Sequence, residues 1–286
     1  MSDNSGSGYN SFSTTKGNSV SYTDFLNSNT LVSKFVFLLI VIFAFIILLR
    51  VGISVLGYFF SPTNSPKLIN GMVDAKQSII FPQDPADKGA VTIYRSINAN
   101  DGLEFTWSVW IFINNLQYLE NQYKHIFYKG NSNLAENGLN FPNNAPGLYL
   151  APNSNTLVVV MNTFNVINEE IKIPDIPLNK WVNVIVRCQN KTLDVFINGT
   201  ITRSIELTSV PKQNYGDVYV GMNGGFDGYI SNLWYYNYAL GTAGVQRIIE
   251  KGPNTKMVGS DGINMKKSNY LSLRWFFNGT SDTFNP

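Results

Sequence analysis

Three textures of apolar and polar positions succeed one another along the chain. Residues 1–30 are rich in Ser, Asn, Gly and Thr with few apolar side chains. Such a stretch cannot bury enough surface to fold and predicts a disordered tail. Next comes FVFLLIVIFAFIILLRVGISVLGYFF, Phe35–Phe60, with one charge, Arg50, in 26 residues. As a helix this run would rise roughly 39 Å, against a hydrocarbon core of about 30 Å. A soluble core helix rarely needs so long an unbroken apolar surface, so the pattern predicts a single membrane-spanning helix. From about Ser78 the runs shorten to strand length, separated by Gly, Pro and Asn clusters.

The anchor is placed at residues 31–60. Phe35–Leu49 alone is 15 residues, short for a bilayer. Starting at Leu31 brings Lys34 within one turn of one surface, where it can snorkel, and sets Arg50 at the other. Sliding the span toward Phe60 would bury Arg50, at about 2.5–3.5 kcal/mol if it reached the centre. A cleaved signal peptide fits less well, because a polar segment of 30 residues precedes the run and no A-x-A-like site follows it. Lys16 and Lys34 flank one side and Arg50, Lys67 and Lys76 the other, a slight lean toward a cytoplasmic carboxyl side. SPTNSP (61–66) opens a linker placed at 61–77, since proline disfavours helix continuation.

The remaining chain reads as β structure. FTWSVWIFIN (105–114) is apolar on both alternating faces, as for a strand buried on both sides. HIFYKG, GLYLA, TLVVVMN, WVNVIVRCQN, TLDVFINGTITRSIEL, DVYVG and FDGYISNLWYYNYAL follow. Asn198-Gly199 between two apolar runs is a strong hairpin signal. Short strands at this spacing point to an all-β sandwich. One helix stands out, Thr242–Lys251, with Val245, Ile248 and Ile249 on one stripe and Gly252-Pro253 as a stop.

Composition narrows the function classes. The net charge is +2 and no basic run stands out, which argues against nucleic acid as a partner. The single cysteine, Cys188, rules out an intrachain disulfide and leans toward a reducing compartment. His125, the one histidine, sits in apolar HIFY and reads as a strand position. Glu169 and Glu170 would point to opposite faces of a strand, and no E-x-D-x-E or G-x-S-x-G motif is present. The chain is therefore expected not to be an enzyme. The sequons at Asn190, Asn198 and Asn278 matter only in a lumenal or extracellular setting.

In order, FTWSVWIFIN, HIFYKGN, GLYLAPNSNTLVVV, LNKWVNVIVRCQNKTLDVFINGT and GFDGYISNLWYYNYALGTAGVQRIIEKGP resemble the concanavalin A-like jelly roll, in its laminin-G-like and pentraxin-like branch. The K-W-x-x-V strand, the N-G turn and the closing F-x-G-x-I strand before a short helix carry the resemblance. It implies a two-sheet antiparallel jelly roll over residues 78–253, with one C-terminal helix, and an extension at 254–286. The extension holds YLSLRWFF (270–277), a further strand or a docking surface. Trp107, Trp110, Trp181 and Trp234 are expected mainly to fill the core. Tyr235, Tyr236 and Tyr238 are the candidates for ligand stacking.

The family often binds calcium at the sandwich rim through oxygen ligands. The resemblance implies that Asp101, Glu104, Asp217, Asn223 and Asp227 are the residues to examine for a calcium cofactor. It also implies glycan or protein partners. Together with the anchor, the domain resembles membrane-anchored structural proteins of large DNA viruses. That implies a role tying a bilayer to a protein shell, such as a capsid or envelope; a glycan-binding adhesion module is the alternative, and a glycosidase the third.

Overall fold

The computed structural model describes residues 30–60, 63–96 and 103–258. The chain divides into two compact units at Ser61–Pro62. The first contains helix α1, Leu31–Phe60. Thr30 opens it as a cap, its Oγ1 accepting from the Ser33 amide. Leu31–Tyr58 is long and apolar enough to cross a membrane, and its side chains are exposed on every side, Phe35, Ile47 and Leu48 among them.

In chain order the second unit has β1 (Met72–Asp74), β2 (Ile79–Phe81), β3 (Glu104–Ile113), β4 (Lys124–Gly130), β5 (Gly147–Leu150) and β6 (Thr156–Met161). Next come β7 (Glu169–Pro174), β8 (Trp181–Gln189), β9 (Thr192–Ile197), β10 (Thr200–Glu206), β11 (Asp217–Val220), β12 (Gly228–Tyr236) and helix α2 (Thr242–Lys251). Sheet A runs β1-β12-β3-β8-β9-β10 and sheet B runs β2-β11-β4-β5-β6-β7, antiparallel throughout. The two pack as a sandwich. Phe105, Trp107, Val109, Ile111 and Ile113 of β3 and Val182, Val184 and Val186 of β8 face the core from sheet A. Leu148, Leu157, Val159, Val218 and Val220 face it from sheet B. Side chains two residues apart on each of these strands thus share the inward face. At the β9–β10 turn Asn198 and Gly199 both take positive φ, 50° and 84°, as a two-residue type I′ hairpin requires.

Each sheet also has a covered outer face. Helix α2 lays Val245 and Ile248 on Ile185 and Phe196 of sheet A and on Leu240 of the β12–α2 connection. On sheet B the cover is the loop 131–146, above Tyr128, Tyr149, Val158, Val160 and Tyr219. Polar side chains hold this loop. Asn144 Nδ2 donates to the Asn140 carbonyl (2.8 Å), and Asn140 Nδ2 donates to the carbonyls of Asn131 and Asn133 (2.7 Å each). Tyr149 donates its hydroxyl to Asn144 Oδ1, His125 its Nε2–H to the Gly138 carbonyl, and Asn162 its amide to the Pro142 carbonyl.

The structure departs from the sequence expectations in three places. The expected linker 61–77 already belongs to the sandwich: Leu68 N donates to Leu233 O (2.9 Å), Tyr235 N to Pro66 O (3.1 Å), and Met72–Asp74 forms β1. Of Trp107, Trp110, Trp181 and Trp234, only Trp107 lies in the inter-sheet core. Trp110 is buried on the outer face beside Trp234 and Ile248, while Trp181 and Trp234 are half-buried there. The cause in β12 is a bulge at Ser231–Trp234, with Asn232 at φ 49°. It lets Ile230, Leu233 and Tyr235 all face inward and sends Trp234 outward. Beyond Pro253 the chain stays on the sheet edge, with Val258 N donating to Met72 O (2.8 Å). The run 270–277 lies outside the described residues.

Candidate ligand-binding site

At one end of the sandwich the connections β2–β3, β4–β5, β6–β7 and β10–β11 surround a cavity of about 750 Å³. Its floor is aromatic and comes from the ends of inward-facing runs. Trp107 stacks on Phe127 at 5.0 Å and meets Tyr235 in a tilted pair at 5.0 Å. Phe105, Trp107 and Tyr235 line the cavity from sheet A, and Lys129 and Ala145 from sheet B. Tyr235 is buried, its hydroxyl donates to Tyr94 O (2.8 Å), and burial raises its pKa. The rim carries two large aromatics in open positions, Tyr215 at 92% exposure and Phe164 at 69%. Rings left in water at a concave site supply flat apolar contact to a ligand without first having to be uncovered.

Polar groups converge on the same cavity. Gln83 is fixed by hydrogen bonds at its backbone amide and at both ends of its side-chain amide. Its Nε2 donates to Val91 O (2.8 Å), its Oε1 accepts from Ile93 N (2.9 Å), and its own amide donates to Asp217 Oδ1 (2.8 Å). Lys129 donates its ammonium to the Gly216 carbonyl, and burial brings its pKa down to about 8. Asn214 ties this corner, donating to Lys129 O (3.1 Å) and accepting from Gly216 N (3.0 Å). Gly216 lies so close to Gly130 that a Cβ would meet its carbonyl oxygen at 1.8 Å. Arg95 and Gln213 complete the polar lining. Asp84 is the one carboxylate among the described residues lining the cavity, and its Oδ1 accepts from Ala86 N (2.8 Å) in its own turn.

The stacking candidates do not converge. Tyr235 lines the cavity, whereas Tyr236 and Tyr238 lie on the outer face of sheet A, their rings 5.9 Å apart. The oxygen-ligand candidates are scattered as well. Asp217 and Asp227 flank β11 and its following turn, at opposite ends of the sandwich. Asp217 bonds the Gln83 amide. Asp227 pairs with Lys76 Nζ (2.6 Å) and accepts from Asn115 Nδ2 (2.6 Å), and the Lys76 pKa rises in consequence. Asn223 donates to Gln122 Oε1 (3.1 Å), and Glu104 accepts from Ala239 N (3.1 Å). Asp101 lies outside the described residues. Among the described residues no three His, Cys, Asp or Glu side chains come together as a metal site.

Other singled-out groups have local partners. Glu169 accepts from Thr208 Oγ1 (2.9 Å) and Glu170 pairs with Lys172 (3.3 Å). Cys188 is buried in the core and its thiol pKa is pushed up to about 12. Sequence reading missed Phe164, Tyr215, Tyr94, Arg95 and Lys129. The signal available for Phe164 and Tyr215 is their place in TFN and QNYG: an aromatic in a turn segment serves no core period.

The family model described as the concanavalin A-like lectin/glucanases superfamily (Laminin_G_3) matches residues 85–246, more than half of the chain. No curated protein matches. Among solved structures, the receptor-binding domain of botulinum neurotoxin D is similar at 14% identity and TM-score 0.45, over 66% of this chain and 44% of that one. The binding domain of botulinum neurotoxin DC in complex with rat synaptotagmin II gives 14%, TM-score 0.40, 52% and 36%. The same domain in complex with SialylT gives 14%, TM-score 0.40, 52% and 35%. The chain thus spans less than half the length of each. The family-model match, on an antiparallel two-sheet sandwich closed by a short helix, shows that the chain belongs to the concanavalin A-like lectin/glucanase superfamily, with a laminin-G-type domain.

Proposed function

We propose that this chain is a membrane-anchored, non-enzymatic binding module whose ligand, a glycan, sits in the cavity at the end of the sandwich. The observation that carries the reading is the exposed pair Phe164 and Tyr215 above a pocket walled by Trp107, Phe105 and Tyr235. Sugar rings offer apolar C–H faces to such rings, and Gln213 and Arg95 offer hydrogen bonds to hydroxyls, while the internally bonded Gln83 and Asn214 hold the wall in shape. Glycosidase chemistry needs two carboxylates flanking one bond, about 5–9 Å apart. The described lining supplies Asp84 alone, so the site favours binding over hydrolysis. The test is a glycan array probed with the full chain in detergent micelles. Binding should appear on a defined glycan set and fall at least about tenfold in Phe164→Ala and Tyr215→Ala. An array without signal, or variants that bind as the parent does, would refute the cavity as a glycan site.

A second reading is a structural role in a virion, as a minor capsid or membrane protein that ties a bilayer to a protein shell. What favours it is the order of the two units, a 30-residue apolar helix followed by a sandwich. The lone cysteine, sealed in the core, is compatible with a reducing compartment. Protease protection of the full chain in sealed vesicles separates the settings. Cleavage from the cytoplasmic face fits the shell role. A lumenal domain carrying glycans at Asn190 or Asn198 rejects it.

A further inference from the structure

Along the edge of helix α2, which packs against Tyr236 and borders Trp234, the outer face of sheet A carries an aromatic strip whose last ring, Tyr238, is exposed. Trp234, Tyr236 and Tyr238 follow one another along β12 and just past its end, with ring separations of 6.2 and 5.9 Å. Cations flank the strip on both sides. Lys67 Nζ stands 4.4 Å from the Trp234 ring centre, and Lys251 Nζ of α2 stands 5.0 Å from it. Arg247, one turn earlier on α2, acts electrostatically on the Tyr236 hydroxyl. Among the described residues none of these three cations has a carboxylate within ion-pairing distance. The two nearby carboxylates are engaged elsewhere: Glu250 accepts from Gln246, and Glu104 from Ala239 N.

We propose that this strip is a membrane-contact surface that rests on anionic lipid headgroups. Tyrosine rings with one apolar and one polar end, beside Lys and Arg, are a composition that bilayer interfaces select; the indole nitrogen of Trp234 is buried in the protein, so that ring would offer only its apolar part. Cations without a carboxylate partner among the described residues meet complementary charge on an anionic leaflet. The covalent chain supplies the second argument. Asn64 O accepts from Asn237 N and Pro66 O from Tyr235 N, so the strip begins where the sandwich begins. Only residues 61–63 separate Asn64 from the last residue of α1. Four Cα–Cα steps reach at most about 14 Å, and the headgroup layer is itself about 5–8 Å deep on each side. With α1 in a bilayer, this strip is tethered within reach of the headgroups. The proposal rests on reading α1 as a membrane span.

The test uses the full chain in nanodiscs of phosphatidylcholine, with and without phosphatidylserine. Amine acetylation is followed by mass spectrometry at Lys67 and Lys251, with Lys172 on the edge strand β7 as internal control. Phosphatidylserine should slow acetylation of Lys67 and Lys251 about fivefold and leave Lys172 unchanged. High salt should reverse the protection. Arg247→Glu, an exposed change on α2, should weaken it at both lysines. Equal rates in the two lipid compositions overturn the proposal while leaving the anchor intact. Protection already present in detergent overturns it too, since a non-lipid partner would then cover the strip. A chain that does not enter nanodiscs at all fails the anchor reading, and with it the tether on which the proposal stands.

Discussion

The two outer faces of the sandwich are covered by opposite means. Over sheet A lies a ten-residue helix whose stripe of Val245 and Ile248 meets Ile185, Phe196 and Leu240. Over sheet B lies an irregular loop, 131–146, held by the side-chain amides of Asn140, Asn144 and Asn162 and by His125 and Tyr149. The helix satisfies its own backbone, so it needs only apolar contact with the sheet. The loop has no such ladder. Its carbonyls would be buried without partners unless side chains supplied donors, and Asn, with two amide N–H groups, is suited to that task. A cover of apolar contact fails gradually as contact is removed. A cover of buried hydrogen bonds fails at single groups, because each orphaned partner keeps its desolvation cost.

The largest expected effect is on the helical cover. Ile248→Ala removes a buried side chain between α2 and sheet A and should cost about 2–5 kcal/mol, read by urea denaturation. Ile248→Val should cost about 0.5–1.5 kcal/mol. A loss at valine equal to that at alanine would break the idea of graded apolar contact.

On the loop cover, Asn144→Ala orphans the Tyr149 hydroxyl and the Asn140 carbonyl at once. The expected loss is about 1–3 kcal/mol. The double change Asn144→Ala with Tyr149→Phe should recover part of it, since it removes an orphan with its former partner. Strict additivity in that cycle would argue against a hydrogen-bonded cover.

The third expectation concerns acid. His125 is fully buried, and burial drops its pKa to about 4 against an unfolded value near 6.5. Its Nε2–H is taken by the Gly138 carbonyl, and its Nδ1 has no hydrogen-bond partner among the described residues. Below about pH 6.5 the unfolded chain takes a proton that the folded chain refuses. Stability is therefore full above that pH and declines as pH falls toward 4. Between pH 7 and 5 the loss should be about 2 kcal/mol. Thermal melts across that window, compared with His125→Gln, isolate the effect because the chain has one histidine. A parent and a variant with the same pH slope would remove His125 as its cause.

The smallest effect is expected where neither cover reaches. Trp181 is half-buried, with its ring edge-on to Phe112 at 5.5 Å. Trp181→Ala should cost about 1–2 kcal/mol, well under the 3–5 kcal/mol of a buried indole such as Trp107. Matched melts of Trp181→Ala and Trp107→Ala check the ranking, and equal losses would contradict it.

Much of the scaffold was legible in the sequence, because its signals are local. Short apolar runs marked β3 and β8, Asn-Gly marked the β9–β10 hairpin, and a 3.6-residue stripe with a glycine stop gave α2 its observed bounds, Thr242–Lys251. The unbroken apolar run likewise marked α1, since backbone self-satisfaction and side-chain hydropathy both reside in the segment itself.

What tertiary structure alone decided are the features that need partners distant in sequence. The bulge at Asn232 reverses the alternation of β12, so that Tyr235 rather than Trp234 and Tyr236 faces the core and reaches the cavity. The apolar stretch of β4 does not reveal that His125 lies under a loop rather than in the core, since burial on either face looks the same in sequence. The cavity joins Gln83, Phe164 and Tyr215 from three separate connections with Lys129 from β4. A periodic pattern fixes which side of a strand is apolar; which loops meet at its end follows from strand order, and that order is set by non-local pairing that no short window of sequence contains.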